Sequence, residues 1–395
     1  MWKDTLRIAG AYVAYVIGSG FATGQEIVQF FTVYGIKGIA GMLVCTVLFA
    51  AMGSTLLADG FRYGNGEISK LQNSRYKKRT LNKPENKVDN IGGVYEYYCG
   101  SALGKVFELL MPIILFCTVV IMIAGAGAAA REYYGFDYQV GCTAMAFILF
   151  LSYMLGFYKI VNAIGFLAPV IIIFMIAVGI LTIANSGAGS FTEILLQFDV
   201  MEKSIDTETL TSGEGIYSLK WLFSAMLYAS YNTVSAVAFF RALGSSAVSI
   251  SSAKAGGILG GVMLMTAAFM MNLAIMTKAE IAVKLSIPTL YLARLISPLL
   301  GLAFSAVLLI EIFSTAAPMM WTVCSRFAAD GTPKAFAVGL AFIVPAYLAS
   351  GVSFEKLISC VYPCTGILGF LFMFCLLKSC IVRRLRGKIS YRQSA

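Results

Sequence analysis

The chain has 395 residues, 59% of them hydrophobic and only 13% charged, with no His and a net charge of +10. Charge at about half the share usual in soluble proteins, beside that much apolar surface, excludes a water-soluble globule, a disordered chain and a disulfide-stapled secreted module. Without imidazole there is no Ser-His-Asp relay and no His-ligated metal, so an enzyme is not expected and no cofactor is implied. The nine Cys sit mostly in apolar runs with no CxxC pair and read as free thiols packed like small hydrophobes.

A charge at mid-bilayer costs about 2.5–3.5 kcal/mol, so stretches between charges mark the candidate membrane spans. In chain order, Arg7 to Lys37 encloses only Glu26. The runs 38–58, 109–130, 138–158, 160–192, 221–240 and 255–277 are free of charge. Arg294 to Arg326 encloses only Glu311, and 335–354 and 357–377 are free again. Roughly 20 apolar residues in a helix cross the hydrocarbon core, which predicts an all-α polytopic membrane protein of ten transmembrane helices. A cleaved signal peptide is the alternative for the first span, opposed by the apolar character that resumes at Phe30 and Phe31 and by the nine spans that follow.

With the N-terminus inside, 22 of the 30 Lys and Arg fall on the cytoplasmic side, which predicts cytoplasmic N- and C-termini. The run Arg75-Tyr-Lys-Lys-Arg79 reads as a solvated loop beside anionic lipid, and nucleic acid is not an expected partner. Five spans before an acidic outer loop and five after it suit an inverted repeat, because an odd count makes the second half enter from the opposite face. The predicted division is 1–184 for the first repeat with its cytoplasmic loop 59–108, 185–218 for the extracellular loop, 219–379 for the second repeat and 380–395 for a basic tail.

Polar groups at membrane depth are the candidate site. Span one holds Ile17-Gly-Ser-Gly-Phe-Ala-Thr-Gly-Gln-Glu26. Its glycines suit close helix packing, but an unwound segment lining a cavity would also explain the cluster of polar residues. In span six, Tyr228, Ser230, Tyr231 and Asn232 fit either helix–helix hydrogen bonding or a matching interruption, and paired interruptions in corresponding helices point to a transporter binding site. In span eight, Glu311 has Ser314 and Thr315 on its face at i+3 and i+4. Those oxygens suit Na⁺ or a proton relay, while a protonated Glu bonded to a neighbouring helix is the alternative.

These strings resemble the amino acid–polyamine–organocation superfamily with its LeuT-type five-plus-five fold. GSGFATGQEIVQFF and IPTLYLARLISPLLG are similar to the YkvI-like amino-acid permeases in particular. The resemblance implies that helices one and six are broken. It implies that Gly18, Ser19, Gly20 and Phe21 cradle a substrate carboxylate through backbone N–H groups, and that Tyr228, Ala229, Ser230, Tyr231 and Asn232 face the substrate amine. It further implies a sodium ion on the Ala14 and Ile17 carbonyls and the Ser314 and Thr315 hydroxyls. Phe21 stands where sodium-coupled neurotransmitter-type members place Asn, so their second, substrate-adjacent sodium site is not expected. The run 160–192 has no Lys to replace the ion. Glu26 and Glu311 lie outside the carried-over pattern and are candidates for proton linkage.

The expected function is therefore secondary active transport of a small amino acid or related zwitterion by alternating access in the plasma membrane, coupled to Na⁺ or H⁺. The alternative is a ligand-sensing receptor of the same fold without turnover. No oligomeric state is legible.

Overall fold

The computed structural model describes residues 1–65, 91–155, 167–186, 196, 219–328 and 331–393. The basic run 75–79 and nearly all of the outer loop 187–218 lie outside them. Among the described residues every regular element is helical. Span one is α1 (Trp2–Val16), α2 (Ser19–Ala22) and α3 (Gln25–Phe30), followed after a 3₁₀ turn by α4 (Gly35–Gly64). Next come α5 (Ile91–Tyr134), α6 (Tyr138–Leu155) and α7 (Leu167–Asn185). The second half contains α8 (Lys220–Ser245), α9 (Ile250–Met276), the short α10 (Ala279–Ala282) and α11 (Pro288–Ile296), then α12 (Pro298–Cys324), α13 (Pro333–Ala349) and α14 (Phe354–Gln393).

Local chemistry sets the helix starts. Ser249 and Ser252 form a capping box at the head of α9, Thr332 caps α13 ahead of Pro333, and Pro opens α11 and α12 where a missing N–H is harmless. Six described helical stretches are long and apolar enough to cross a membrane. The broken first span, the shorter α7 and α13 and the more polar α8 bring the order into line with ten.

Helix contacts are built on small residues. A Cβ on Gly257 would lie 2.5 Å from the Ser54 nitrogen and one on Gly261 2.8 Å from that of Ala50, so α9 seats directly on the α4 backbone. Around the outside, Leu43, Val47, Leu109, Phe147, Ile173 and Leu348 are exposed, a greasy girdle that only lipid would cover. The chain is an integral membrane protein by this pattern.

One expectation needs correction. Helix one is broken, as expected, but helix six is not, since α8 runs unbroken from Lys220 to Ser245. The reason is local: no Gly or Pro occurs between Lys220 and Leu243, and the polar side chains close on the helix's own carbonyls instead of replacing them. Asn232 Nδ2 donates to Tyr228 O at 3.1 Å, Thr233 Oγ1 to Ala229 O at 2.7 Å and Ser235 Oγ to Tyr231 O at 2.9 Å. Residues from 380 continue α14 as a helix as far as Gln393.

Candidate functional site

The site starts from the break in span one. Ile17 (ψ 114°) and the extended Gly18 (φ −118°, ψ −178°) interrupt the helix after Val16. One turn later Gly24 adopts φ +83°, a left-handed conformation that favours glycine, and α3 sets off in a new direction. The break frees backbone groups. Ile17 N still donates to Val13 O at 2.9 Å, but among the described residues no backbone N–H reaches the carbonyls of Ala14 or Ile17. Ala22 N and Thr23 N return to Gly18 O and Ser19 O, so the N–H groups of Ser19, Gly20 and Phe21 are the orphans that begin any helix.

Against this break lies a cavity of about 40 Å³, room for a few heavy atoms. Gly18 and Glu26 line it from span one, Tyr231 and Asn232 from α8, Thr315 from α12 and Tyr362 from α14. Glu26 is 3% exposed and Ser19 fully buried. The Glu26 carboxyl folds back over α2, where its Oε1 would lie 2.2 Å from a Cβ on Gly20. Tyr228, Tyr231 and Tyr362 face that carboxylate. Yet Glu26 Oε2, the Tyr231 hydroxyl and the Ser19 hydroxyl find no partner within hydrogen-bonding geometry among the described residues. Buried polar atoms are nearly always satisfied, and two of these orphans, Glu26 Oε2 and the Tyr231 hydroxyl, line the cavity and are open to a further partner.

The expected site residues divide. Gly18 and Thr315 meet, with Thr315 Cγ2 3.9 Å from where a Gly18 Cβ would be. Ser314 is buried and its hydroxyl donates to Glu311 O at 2.9 Å, which leaves the oxygen lone pairs available to a cation. Phe21 is buried in the core. Ala229 and Ser230 are turned away from the cavity: Ser230 Oγ donates to Gly366 O at 2.9 Å, and Gly369 packs on the Ser230 carbonyl. Tyr228 packs edge-on to Phe31, with centroids 4.9 Å apart. Glu311 is 2% exposed but does not line the cavity.

Sequence reasoning missed Tyr15, Ser235, Tyr362 and Thr365, all of which line the cavity. Three carried a signal: Tyr362 and Thr365 lie within two residues of Pro363 inside an apolar span. Ser235 continues the helical spacing of Tyr228, Tyr231 and Asn232. Thr118 and Met122, also lining residues, carried none.

The two ends of the cavity differ. Arg7 Nη2 donates to Ser246 O at 2.8 Å, so the end of α8 lies at the face where α1 begins, and Tyr15 and Ser235 extend the cavity toward that face. The opposite end is shut. Thr289 Oγ1 donates to Ala22 O at 2.6 Å and Gln25 Nε2 to Leu285 O at 2.8 Å. The Glu132 carboxylate accepts from Ser286 N and Ile287 N at 2.9 and 3.1 Å. The segment before α11 is thereby clamped onto span one.

Comparison with known proteins matches this architecture. No family model matches the chain. It is 24% identical over 374 residues to the "Uncharacterized membrane protein YkvI" of Bacillus subtilis (strain 168), covering 94% of each chain. The chain is thus similar to this membrane protein over nearly the whole length of both. A second relative of the same organism, the "Uncharacterized protein YyaD", is 22% identical over 377 residues, 95% of this chain and 97% of its own. Among solved structures, the inward facing conformation of Mhp1 superposes with a TM-score of 0.54 at 14% identity, covering 93% of this chain and 75% of that one. The chain therefore has the LeuT-type fold, here with span one broken and α8 continuous.

Proposed function

We propose that the protein is a secondary active transporter of a small amino acid or related zwitterion, working by alternating access in the plasma membrane with both termini cytoplasmic. The observation that carries this reading is the cavity at the helix-one break, lined by two polar atoms without partners, Glu26 Oε2 and the Tyr231 hydroxyl. Its volume of about 40 Å³ suits the head of a small solute. The orphan N–H groups of Ser19, Gly20 and Phe21 suit a carboxylate, as exposed N–H groups favour anions. Gly18 keeps the approach open. Because α8 is continuous, its carbonyls are engaged in their own ladder, and its contribution is the Tyr231 hydroxyl and the Asn232 amide rather than a backbone break.

The ion site we propose is the Ala14 and Ile17 carbonyls with the Ser314 and Thr315 hydroxyls. All are uncharged hard oxygens, which suits Na⁺; Glu311, one turn away on α12, supplies negative charge nearby, and a proton is the alternative coupling ion. The clamp of the α11 segment on span one supports a state closed on the outer side, with the five-helix halves 1–184 and 219–379 as the bodies that rock.

Uptake of labelled glycine and alanine into proteoliposomes, with and without an inward Na⁺ gradient, tests the reading. Accumulation above equilibrium that collapses with the gradient is the expected result. Binding without accumulation would make the protein a receptor, and equilibration without accumulation a channel.

A further inference from the structure

Glu26 is a buried carboxylate without a protein cation. Among the described residues no basic side chain forms an ion pair with it, and the run from Arg7 to Lys37 contains no other charge. Tyr228 and Tyr231 face it from α8 and Tyr362 from α14. The remaining elements packed on α3 offer little: the turn after it carries Tyr34, α9 has Lys254 near its start as its sole ionisable residue, and α2 has none. Glu311 on α12 is the other buried acid of this region. A lone carboxylate in such surroundings is neutralised by a proton or by a cation arriving through the cavity.

The surroundings fit an organic cation. Tyr231 and Tyr362 stack with ring centroids 4.6 Å apart and Tyr228 meets Tyr231 edge-on at 5.6 Å, so phenol rings flank the acid. Aromatic faces and an acid together are how ammonium groups are gripped. The unbroken α8 removes one alternative, since its mid-span carbonyls are engaged in the helix's own ladder and offer the amine no half-helix end. We infer that Glu26, flanked by Tyr231 and Tyr362, holds the ammonium group of the cargo directly, and that this ammonium and a proton on Glu26 exclude one another.

The exchange balances. As the ammonium enters, Glu26 releases its proton to the cavity and so to bulk water, and the pair of cation and carboxylate carries no more net charge than the protonated acid did. This rests on the transport reading only for calling the ligand cargo; binding is tested separately.

The test uses the full chain in detergent with methylammonium chloride as probe. A hydrophobic carbodiimide modifies buried protonated carboxyls, and peptide mass spectrometry follows Glu26 with Glu311 as internal reference. Methylammonium is expected to slow modification of Glu26 about tenfold at saturation and to leave Glu311 unchanged, with the protecting concentration rising about tenfold per pH unit on the acid side. Absence of protection, equal protection of both acids, or equal protection by NaCl overturns the inference. In a second arm, Gly20→Ala keeps the acid but displaces its carboxyl, which lies where the new Cβ goes. It should lose methylammonium protection while melting close to the wild type, and full protection would count against the assignment. Glycine accumulation at wild-type rate and affinity in Glu26→Gln would end this inference and leave transport standing. Methylammonium protection of Glu26 without any glycine accumulation would do the reverse.

Discussion

Ser314 and Thr315 are neighbours on α12 yet meet different surroundings. Thr315 lines the cavity beside Gly18, whereas the Ser314 hydroxyl donates to Glu311 O and offers only its lone pairs. If both ligate Na⁺, the double substitution Ser314→Ala, Thr315→Ala should abolish sodium activation of uptake while Tm changes little. Unchanged sodium dependence would remove the ion assignment. Asp4, on the membrane surface before the first apolar stretch, answers to pH. Burial raises its pKa, but hydrogen bonds from Ser252 Oγ (2.6 Å) and Val248 N (2.9 Å) and the Arg7 guanidinium (2.8 Å) outweigh it and hold the carboxyl at about 2. A depressed carboxylate contributes stability that is present above its ordinary value of 3.8 and lost as pH falls through about 2. Melting curves should show a decline over that acid window, and Asp4→Asn should remove it and cost about 1–3 kcal/mol at neutral pH.

At the scale of elements, the two leading helices solve the same problem in opposite ways. Span one has Gly18 and Gly24 and breaks twice, and the second break needs φ +83°. Gly24→Ala would strain the backbone by about 1–2 kcal/mol and push its Cβ to 2.8 Å from Thr289 Cγ2. A lower Tm and easier outside access to the α11 clamp are expected, and an unchanged Tm would show that the bend tolerates a side chain. In α8 the polar residues, with no glycine or proline among them, turn their hydrogen bonds inward along the helix. Polar side chains at membrane depth thus do not break a helix unless glycine or proline accompanies them.

For the whole molecule, the asymmetry of the cavity's two ends matters most. Span one is pinned to the α11 segment on one side by Thr289 and Gln25, while Tyr15 and Ser235 line the side that bears the N-terminus. A Ser235→Cys variant, with the exposed Cys360 and Cys364 replaced, should be labelled by a membrane-impermeant thiol reagent from the N-terminal face alone. Glycine should slow that labelling. Equal labelling from both faces would contradict the clamp.

Composition and charge spacing were enough to announce a ten-span membrane protein and to point at residues 17–26, because crossing lipid forbids charges and unpaired backbone whatever the fold. The break at Gly18 was legible for the same reason, as glycine and polar residues cluster there. The role of Glu26 was not, since a single acid in an apolar span looks alike whether it packs, protonates or binds. Packing adds what the sequence lacks: α8 and α14, distant in sequence, bring Tyr231 and Tyr362 to its carboxyl. Nor could one-dimensional reading tell which of Tyr228 to Asn232 face the cavity, because that depends on the rotation of an unbroken helix fixed by Gly366 and Gly369 on α14.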